Sequence, residues 1–293
     1  MRRPSIPNLM HSLMAVALAV MVLTGCEEAV APVLDSGRPF TLYGYLNPGA
    51  DHQAIRVFPI EEILAPNSPE PLDALVRVTG PGLSEVLRDS VIVYGDGSVG
   101  HVFQADFRPE HGMTYEIRAE EPEGRFSTVQ VRTPAKAQLS IGDAGGVLGN
   151  VLMPVEFAGA EQVLSPSVLY TFESTRAPFT WTIPVVYGDR VVRAGDRWSV
   201  TVDLSRDIGV LYSVTGLQPG TDPIILTDLL VEAFITTSEW TPPGGTYDPE
   251  LLVQPGTFSN VENGFGFVGG GYFESATTLP PAHILQLAGF ANQ

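Results

Sequence analysis

The sequence predicts an all-β fold: an immunoglobulin-like or transthyretin-like sandwich over residues 40–134, then a second β-rich domain over 135–293 with a short C-terminal helix. Apolar and polar residues alternate in segments rich in Val, Ile, Phe and Tyr, which is the pattern of half-buried strands. Gly and Pro interrupt these segments about every ten residues, as the turns of an antiparallel sandwich do. No convincing helical periodicity breaks the first domain.

In the first domain, alternation predicts strands over residues 40–46, 75–79, 85–94, 102–107, 115–119 and 126–131. Gly95-Asp96-Gly97 lies between two of them and predicts a hairpin turn with positive φ. A second turn is predicted at Glu121–Gly124, and Pro134–Ala137 marks the domain boundary.

In the second domain, strands are predicted over residues 151–157, 168–173, 179–186, 198–204, 229–236 and 266–273. The connections 218–223 and 241–256 are long and polar or rich in Pro and Gly, and loops of this kind often carry binding residues. A helix is predicted over Pro281–Leu287, because proline favours a helix start and Gly289 follows as a stop signal.

Residues 1–25 are predicted to form a secretory signal peptide, since two arginines precede an apolar stretch, 13–23, that is too short to span a bilayer. The stretch ends in the order of a lipobox, an apolar residue and two small residues before a cysteine: Leu23, Thr24, Gly25 and Cys26. We therefore expect cleavage before Cys26 and transfer of a diacylglycerol to its sulfur. Because Cys26 is the only cysteine, a disulfide framework is excluded and acylation accounts for the single thiol.

The acyl chains are expected to hold the mature protein on a membrane, since each buried methylene adds about 0.8 kcal/mol of membrane affinity. Residues 26–39 are predicted to be a flexible tether between lipid and fold. Loss of two signal-peptide arginines from the 16 basic residues leaves 14 against 33 acidic ones, so the mature net charge is 14 − 33 = −19. Such a charge repels nucleic acid and anionic lipid surfaces. No later apolar run approaches membrane length.

The sequence contains no catalytic motif that assigns a reaction, and we expect no enzyme, cofactor or metal centre. Two Gly-x-Gly-x-x-Gly runs, at 95–100 and 264–269, precede strand-forming residues and not the helix that a dinucleotide needs. The four histidines that follow the predicted signal peptide are not spaced as metal ligands on one helix or strand. A triad assembled from distant residues stays open. Asp203 and Asp207 flank Ser205 without the full oxygen-ligand loop of a calcium site.

Of the three tryptophans, Trp240 is the best candidate for contact with a ligand. It lies beside prolines and a glycine in a predicted loop, whereas Trp181 and Trp198 lie in alternating strands and are expected in the core. Asp89-Ser90-Val91 fits a short O-glycosylation pattern of exported proteins, but three-residue patterns recur by chance and an ordinary strand is the preferred interpretation.

The segment 258–269 resembles the C-terminal block of a Bacteroidetes-type lipoprotein family known as domain of unknown function 4249. The block residues are Ser259, Asn260, Asn263, Gly264, Gly266 and Gly269. Val261 replaces the usual isoleucine, and the ending Gly266-Phe267-Val268-Gly269 departs from the common Phe-Gly form. Asn and Gly tolerate left-handed backbone conformations, so a turn that feeds a glycine-rich strand is expected here.

The resemblance implies an outer-membrane lipoprotein, of a kind expected beside TonB-dependent receptors, and it supplies no catalytic residues. We therefore expect a non-enzymatic binding or assembly role at the outer membrane, on either its periplasmic or its cell-surface face, with an outer-membrane protein as partner and the lipid as anchor. Two alternatives remain open at this stage. One is a hydrolase of envelope glycans or peptides, with a cleft of convergent carboxylates or a Ser/His pair. The other is a purely structural surface component, with extended exposed apolar patches or edge strands and no pocket.

Overall fold

The computed structural model describes residues 37–60, 69–93, 95, 97, 99–241 and 258–291, and it confirms an all-β fold with a short C-terminal helix. The strands are β1 (Phe40–Leu46), β2 (His52–Pro59), β3 (Leu75–Gly80), β4 (Leu83–Val93), β5 (Val99–Asp106), β6 (Thr114–Glu120), β7 (Phe126–Arg132), β8 (Gln138–Ile141), β9 (Gly145–Val147), β10 (Asn150–Ala158), β11 (Gln162–Ser174), β12 (Ala177–Val186), β13 (Val192–Ala194), β14 (Arg197–Asp203), β15 (Ile224–Thr236) and β16 (Gly264–Thr278). The helices are α1 (Leu204–Thr215) and α2 (Ala282–Ala288), with a 3₁₀ turn at Gly188–Arg190.

Eleven of the described strands form one continuous sheet, in the order β12-β11-β15-β16-β1-β2-β5-β4-β3-β6-β7. The pairing of β16 with β1 is parallel, from Phe40 opposite Gly264 to Leu46 opposite Gly270, and it joins the C-terminal strands to the N-terminal ones. A second sheet has the order β13-β14-β10-β8, with β9 paired to β10. The last part of the chain therefore completes the edge of the N-terminal sheet.

The N-terminal strands enclose one hydrophobic core. The long strand β4 pairs with β3 through its first half and with β5 through its second half, so it belongs to both layers. Apolar residues of both layers share this core, including Leu42, Ile55 and Ile117, and β16 adds Val268. An isolated bridge between Thr128 and Glu262 ties β7 back to the chain just before β16.

A second hydrophobic core lies among β10, β11, β14, β15 and the two helices. We call it the C-terminal core, and the core of the N-terminal strands the N-terminal core. Its largest fully buried side chains include Phe157, Tyr170, Phe172 and Tyr187. The two cores lie on the inner side of the eleven-stranded sheet. Inward and outward residues alternate along its strands, as the sequence pattern predicts.

Helix α1 was not predicted by the strand pattern, which ended at residue 204 without a following helix. The side chain of Asp203 caps its start by accepting a hydrogen bond from the backbone N–H of Arg206 at 3.0 Å, and Gly216 ends it in the left-handed conformation. Leu204, Ile208 and Leu211 are buried on one face. Their i, i+4, i+7 spacing was the signal in the sequence for this helix.

The predicted C-terminal helix is confirmed at Ala282–Ala288, with Pro281 directly before it and Gly289 in the left-handed conformation directly after it. The predicted turn at residues 95–97 has positive φ at Gly97, and β5 follows it. In the described parts of the chain, no helix is long and apolar enough to cross a membrane.

Candidate functional site

The block at residues 258–269 forms a hydrogen-bonded turn that leads into β16. The Asn260 side chain donates from Nδ2 to the carbonyl oxygen of Val268 at 2.8 Å, and its Oδ1 accepts from the backbone N–H of Val268 at 3.0 Å. The hydroxyl oxygen of Ser259 accepts from the backbone N–H of Val261 at 3.2 Å. These amide and hydroxyl groups satisfy backbone groups of the turn, so their first role is in folding.

Asn263 connects this turn directly to β7. It adopts φ of 50°, a left-handed conformation that Asn tolerates, and its Nδ2 donates to the carbonyl oxygen of Phe126 at 2.5 Å. Its own carbonyl oxygen accepts from the hydroxyl of Ser127 at 2.8 Å. The Ser127 hydroxyl oxygen also accepts from the backbone N–H of Phe40 at 3.2 Å. β1, β7 and the start of β16 thus meet at one buried hydroxyl.

Gly264 and Gly266 permit the close parallel approach of β16 to β1. A Cβ added to Gly264 would lie 2.7 Å from the carbonyl oxygen of Phe40, and one added to Gly266 would overlap the carbonyl oxygen of Leu42. Gly266 also has φ of 103°, which side chains of L-residues rarely adopt. The glycines of the block are therefore explained by backbone contact.

At two further glycines of β16, aromatic rings pack directly against the backbone. A Cβ on Gly269 would lie 2.6 Å from the ring of Trp240, and a Cβ on Gly271 would overlap the ring of Phe234. Both glycines lie on the outward side of β16, opposite the side that carries Val268 into the N-terminal core. The outward side of the sheet therefore receives large rings in direct contact with its backbone.

These rings belong to a connected cluster on the outward side of β1, β15 and β16, which we call the aromatic face. Its members are Tyr45, Phe234, Trp240, Phe258, Phe267 and Phe273. The ring centroid of Trp240 lies 4.9 Å from Phe234, 5.5 Å from Phe267 and 6.1 Å from Tyr45. All three pairs are edge-to-face, the geometry that aromatic rings prefer.

The aromatic face is open to solvent at two of its members. Phe258 is 52% exposed and Phe273 is 57% exposed, while Trp240 is half-buried and Phe267 is buried beneath it. Exposed aromatic side chains grouped on one surface are typical of binding surfaces. Trp240, the predicted ligand contact, lies at the centre of this surface, and its role in binding stays a prediction.

The other two tryptophans pack against the C-terminal core and are half-buried. Trp198 donates from its indole nitrogen to the carbonyl oxygen of Ala160 at 3.0 Å, and Trp181 stacks on Phe172 with a centroid distance of 6.4 Å. Sequence alternation placed both on the inward side, as observed.

A bidentate ion pair borders the aromatic face. The guanidinium of Arg132 on β7 donates to both carboxylate oxygens of Glu161, at 2.5 and 2.8 Å, and Glu239 lies 3.7 Å away. The hydrogen bonds from Arg132 hold the pKa of Glu161 below its ordinary value, although burial opposes this. The pair joins the N-terminal strands to the loop between β10 and β11.

Asp207, which the sequence analysis considered only as part of a calcium site, is a buried carboxyl in the C-terminal core. Asp207 on α1 is fully buried, and its Oδ2 accepts hydrogen bonds from the hydroxyls of Tyr170 at 2.6 Å and Tyr187 at 2.5 Å. Its Oδ1 has no hydrogen-bond partner among the described residues. Burial raises the pKa of Asp207 above its ordinary value, although both phenol hydrogen bonds oppose this. Burial also raises the pKa of each tyrosine.

The three residues considered as calcium ligands serve different purposes in this structure. Asp203 caps α1, Ser205 accepts from the backbone N–H of Val151 at 3.0 Å, and Asp207 holds the two phenols. Their side chains therefore do not converge as a shared oxygen cage. In the described ranges, no group of three potential metal ligands is found.

A second buried polar pair lies at the N-terminal core. Asp89 Oδ2 accepts from the backbone N–H of Leu72 at 2.7 Å and lies 2.8 Å from His101 Nδ1. The side chains are 7% and 3% exposed, so this pair is not open to a substrate. Asp89 therefore has a structural partner inside the strand pair β4–β5, which agrees with the strand interpretation of Asp89-Ser90-Val91.

Several predicted features lie outside the described residues: the lipobox Leu23, Thr24, Gly25 and Cys26, most of the tether, and nearly all of the loop 241–256. The lipid anchor therefore stays a prediction. No protein-family model matches the chain, and a search among curated proteins found no similar sequence.

Proposed function

We propose that this protein is a lipid-anchored protein of the bacterial outer membrane with a non-enzymatic binding or assembly role, and that the aromatic face is its binding surface. The observation that carries the proposal is the cluster of six rings around Trp240, two of them more than half exposed, on a rigid sheet. Large rings on a strand scaffold supply contact area with little loss of side-chain entropy. The lipobox ending in Cys26 supports the anchor.

Buried polar chemistry in the described residues favours binding over hydrolysis. Asp207 with its two tyrosines is enclosed in the C-terminal core, and Asp89 with His101 is enclosed beside the N-terminal core. A hydrolase needs such groups within reach of its substrate. The resemblance to the lipoprotein family adds an outer-membrane protein, such as a TonB-dependent receptor, as a candidate partner.

The first experiment tests the anchor. Cells that express wild type or Cys26→Ala are labelled with palmitate and fractionated. We expect label and outer-membrane partition in wild type and neither in the variant, because the thioether to the lipid needs the sulfur. A variant that still partitions into membranes, together with an unlabelled wild type, would contradict the anchor.

The second experiment tests the binding surface. A photo-crosslinking phenylalanine analogue replaces Phe273 in intact cells, and a matched control places it at Phe179, which is 54% exposed on the edge strand β12 and lies outside the aromatic face. We expect crosslinked adducts with a protein or lipid partner from position 273 only. Equal adduct patterns from both positions would contradict a binding role for the aromatic face.

A further inference from the structure

The chain enters the described fold beside the aromatic face. The guanidinium of Arg38, two residues before β1, lies 4.5 Å above the ring of Phe265, on the same outward side of β16 as Phe267. Phe265 itself is 6% exposed, so Arg38 covers it. The point from which any N-terminal tether departs is therefore fixed at one end of this surface.

The predicted tether limits how far the folded body can lie from the membrane. Arg38 follows the predicted acylated Cys26 by 38 − 26 = 12 residues. A chain of that length reaches about 40 Å at most when fully extended. The bilayer that carries the lipid thus lies within this distance of Arg38, which packs on Phe265 next to the aromatic face, on the outward side of β16.

The composition of the aromatic face matches the lipid–water interface. Trp and Tyr prefer this zone because each has an apolar body and a polar end, and exposed Phe side chains insert more deeply. Arg38 supplies a cation at headgroup level, whereas the mature chain as a whole is strongly acidic. This combination suits zwitterionic headgroups and disfavours a strongly anionic surface.

From these observations we propose that the aromatic face docks on the zwitterionic lipid surface of the membrane that holds the acyl anchor. This inference rests on the proposed function, since it names the bilayer as the occupant of the same surface. The anchor makes docking an intramolecular event, so a small apolar contact that would be weak for a free protein is sufficient.

The test uses the acylated full-length product in vesicles of phosphatidylethanolamine and phosphatidylcholine, with or without bromine on the acyl chains, and reads tryptophan fluorescence. We expect bromine to quench wild type and this quenching to be lost in Trp240→Phe, because Trp181 and Trp198 pack against the C-terminal core. Equal quenching of wild type and Trp240→Phe, or none in wild type, would overturn the inference.

Two matched variants separate docking from mere proximity to the membrane. Phe273→Ser, at a position 57% exposed on the aromatic face, is expected to reduce the quenching of Trp240, and Phe179→Ser, at a position 54% exposed on β12, is expected to leave it unchanged. An equal response of both variants would overturn the inference. A wild type protected from both brominated lipid and aqueous iodide would do so as well, because another protein surface would then cover the face.

The unacylated Cys26→Ala chain, measured at higher lipid concentration, distinguishes failure of the anchor from failure of docking. Palmitate label without quenching in wild type would leave the proposed anchor intact and overturn docking. Quenching of Trp240 in the unacylated chain would support docking and show that docking does not need the covalent acyl anchor.

Discussion

The N-terminal and C-terminal cores are closed by different physical means. The N-terminal core is closed by backbone contact, where glycines of β16 touch β1 and Asn263 joins the turn to β7. The C-terminal core is closed by α1, which brings a buried carboxyl between two phenols. We infer that the first closure fails when a single carbon is added, and that the second depends on the hydrogen-bonding capacity of one side chain.

The largest expected effect is that of Gly266→Ala, because the new Cβ would overlap the carbonyl oxygen of Leu42 at a positive φ. We expect a loss of about 3–5 kcal/mol in the free energy of unfolding, or failure to fold. Denaturant unfolding measures it. The control is Gly209→Ala on α1, where a Cβ meets nothing within 4 Å and helix propensity should add about 1 kcal/mol. Similar stabilities of the two variants would contradict the backbone-contact explanation.

The second prediction addresses the C-terminal closure. Asp207→Ala leaves the hydroxyls of Tyr170 and Tyr187 without their acceptor, and we expect a loss of about 2–4 kcal/mol in the free energy of unfolding. Asp207→Asn keeps an acceptor oxygen and removes the buried charge, so its loss should be much smaller. If asparagine were as damaging as alanine, hydrogen-bonding capacity would not be the deciding property.

Asp207 and Glu161 are expected to give opposite pH dependences of stability. The pKa of Asp207 is raised in the folded state, so its contribution is fully present below the unfolded pKa and is lost as pH rises through the folded pKa. The pKa of Glu161 is lowered, so its contribution is present above the unfolded pKa and is lost as pH falls through the folded pKa. The free energy of unfolding, measured against pH, should lose the Asp207-dependent slope in Asp207→Asn and the Glu161-dependent slope in Glu161→Gln. An unchanged slope in either variant would contradict the assignment.

A smaller effect is expected at the turn before β16. Asn263→Ala removes the hydrogen bond to Phe126 and places a less tolerant residue at φ of 50°, so we expect a loss of about 1–2 kcal/mol. Asn263→Gly keeps the conformational tolerance and loses only the bond. Thermal unfolding of both variants separates the two contributions, and equal losses would assign the whole effect to the hydrogen bond.

The smallest effect concerns the link between the two regions. Arg132 and Glu161 are about one-third exposed, so a double-mutant cycle with Arg132→Gln and Glu161→Gln should give a coupling energy of about 1 kcal/mol that weakens with salt. A coupling indistinguishable from zero would mean that this ion pair does not join the two regions energetically.

The strand pattern predicted much of the fold because alternation is a local property. β1 was predicted at its observed bounds, and the C-terminal helix was predicted within one residue at each end. β2 was missed because its alternation is short. Only Ile55 and Val57 are clear inward apolar residues, and Phe58 directly after them is apolar as well. Helix α1 was missed because it contains β-branched residues and Gly209, which have low helix propensity, so packing of its apolar face has to select it.

The site was predicted only at its centre. Trp240 was singled out from its loop composition, but the rings around it come from three strands that are distant in sequence. Phe265, Phe267 and Phe273 lie at alternate positions of β16, and this was the one local signal for an aromatic surface. Since both sides of β16 are apolar, periodicity could not say which side faces outward.

The sequence alone determined the strand-rich fold, the positions of turns that need glycine or asparagine, and a lipobox that predicts an anchor at Cys26. Only the tertiary structure decided that β16 pairs in parallel with β1 and that Asp207 lies between two tyrosines. Only the tertiary structure, likewise, gathered the aromatic face around Trp240. The physical reason is that backbone preferences and side-chain alternation act over a few residues. Strand partners and buried polar contacts are selected by packing between segments far apart in the chain.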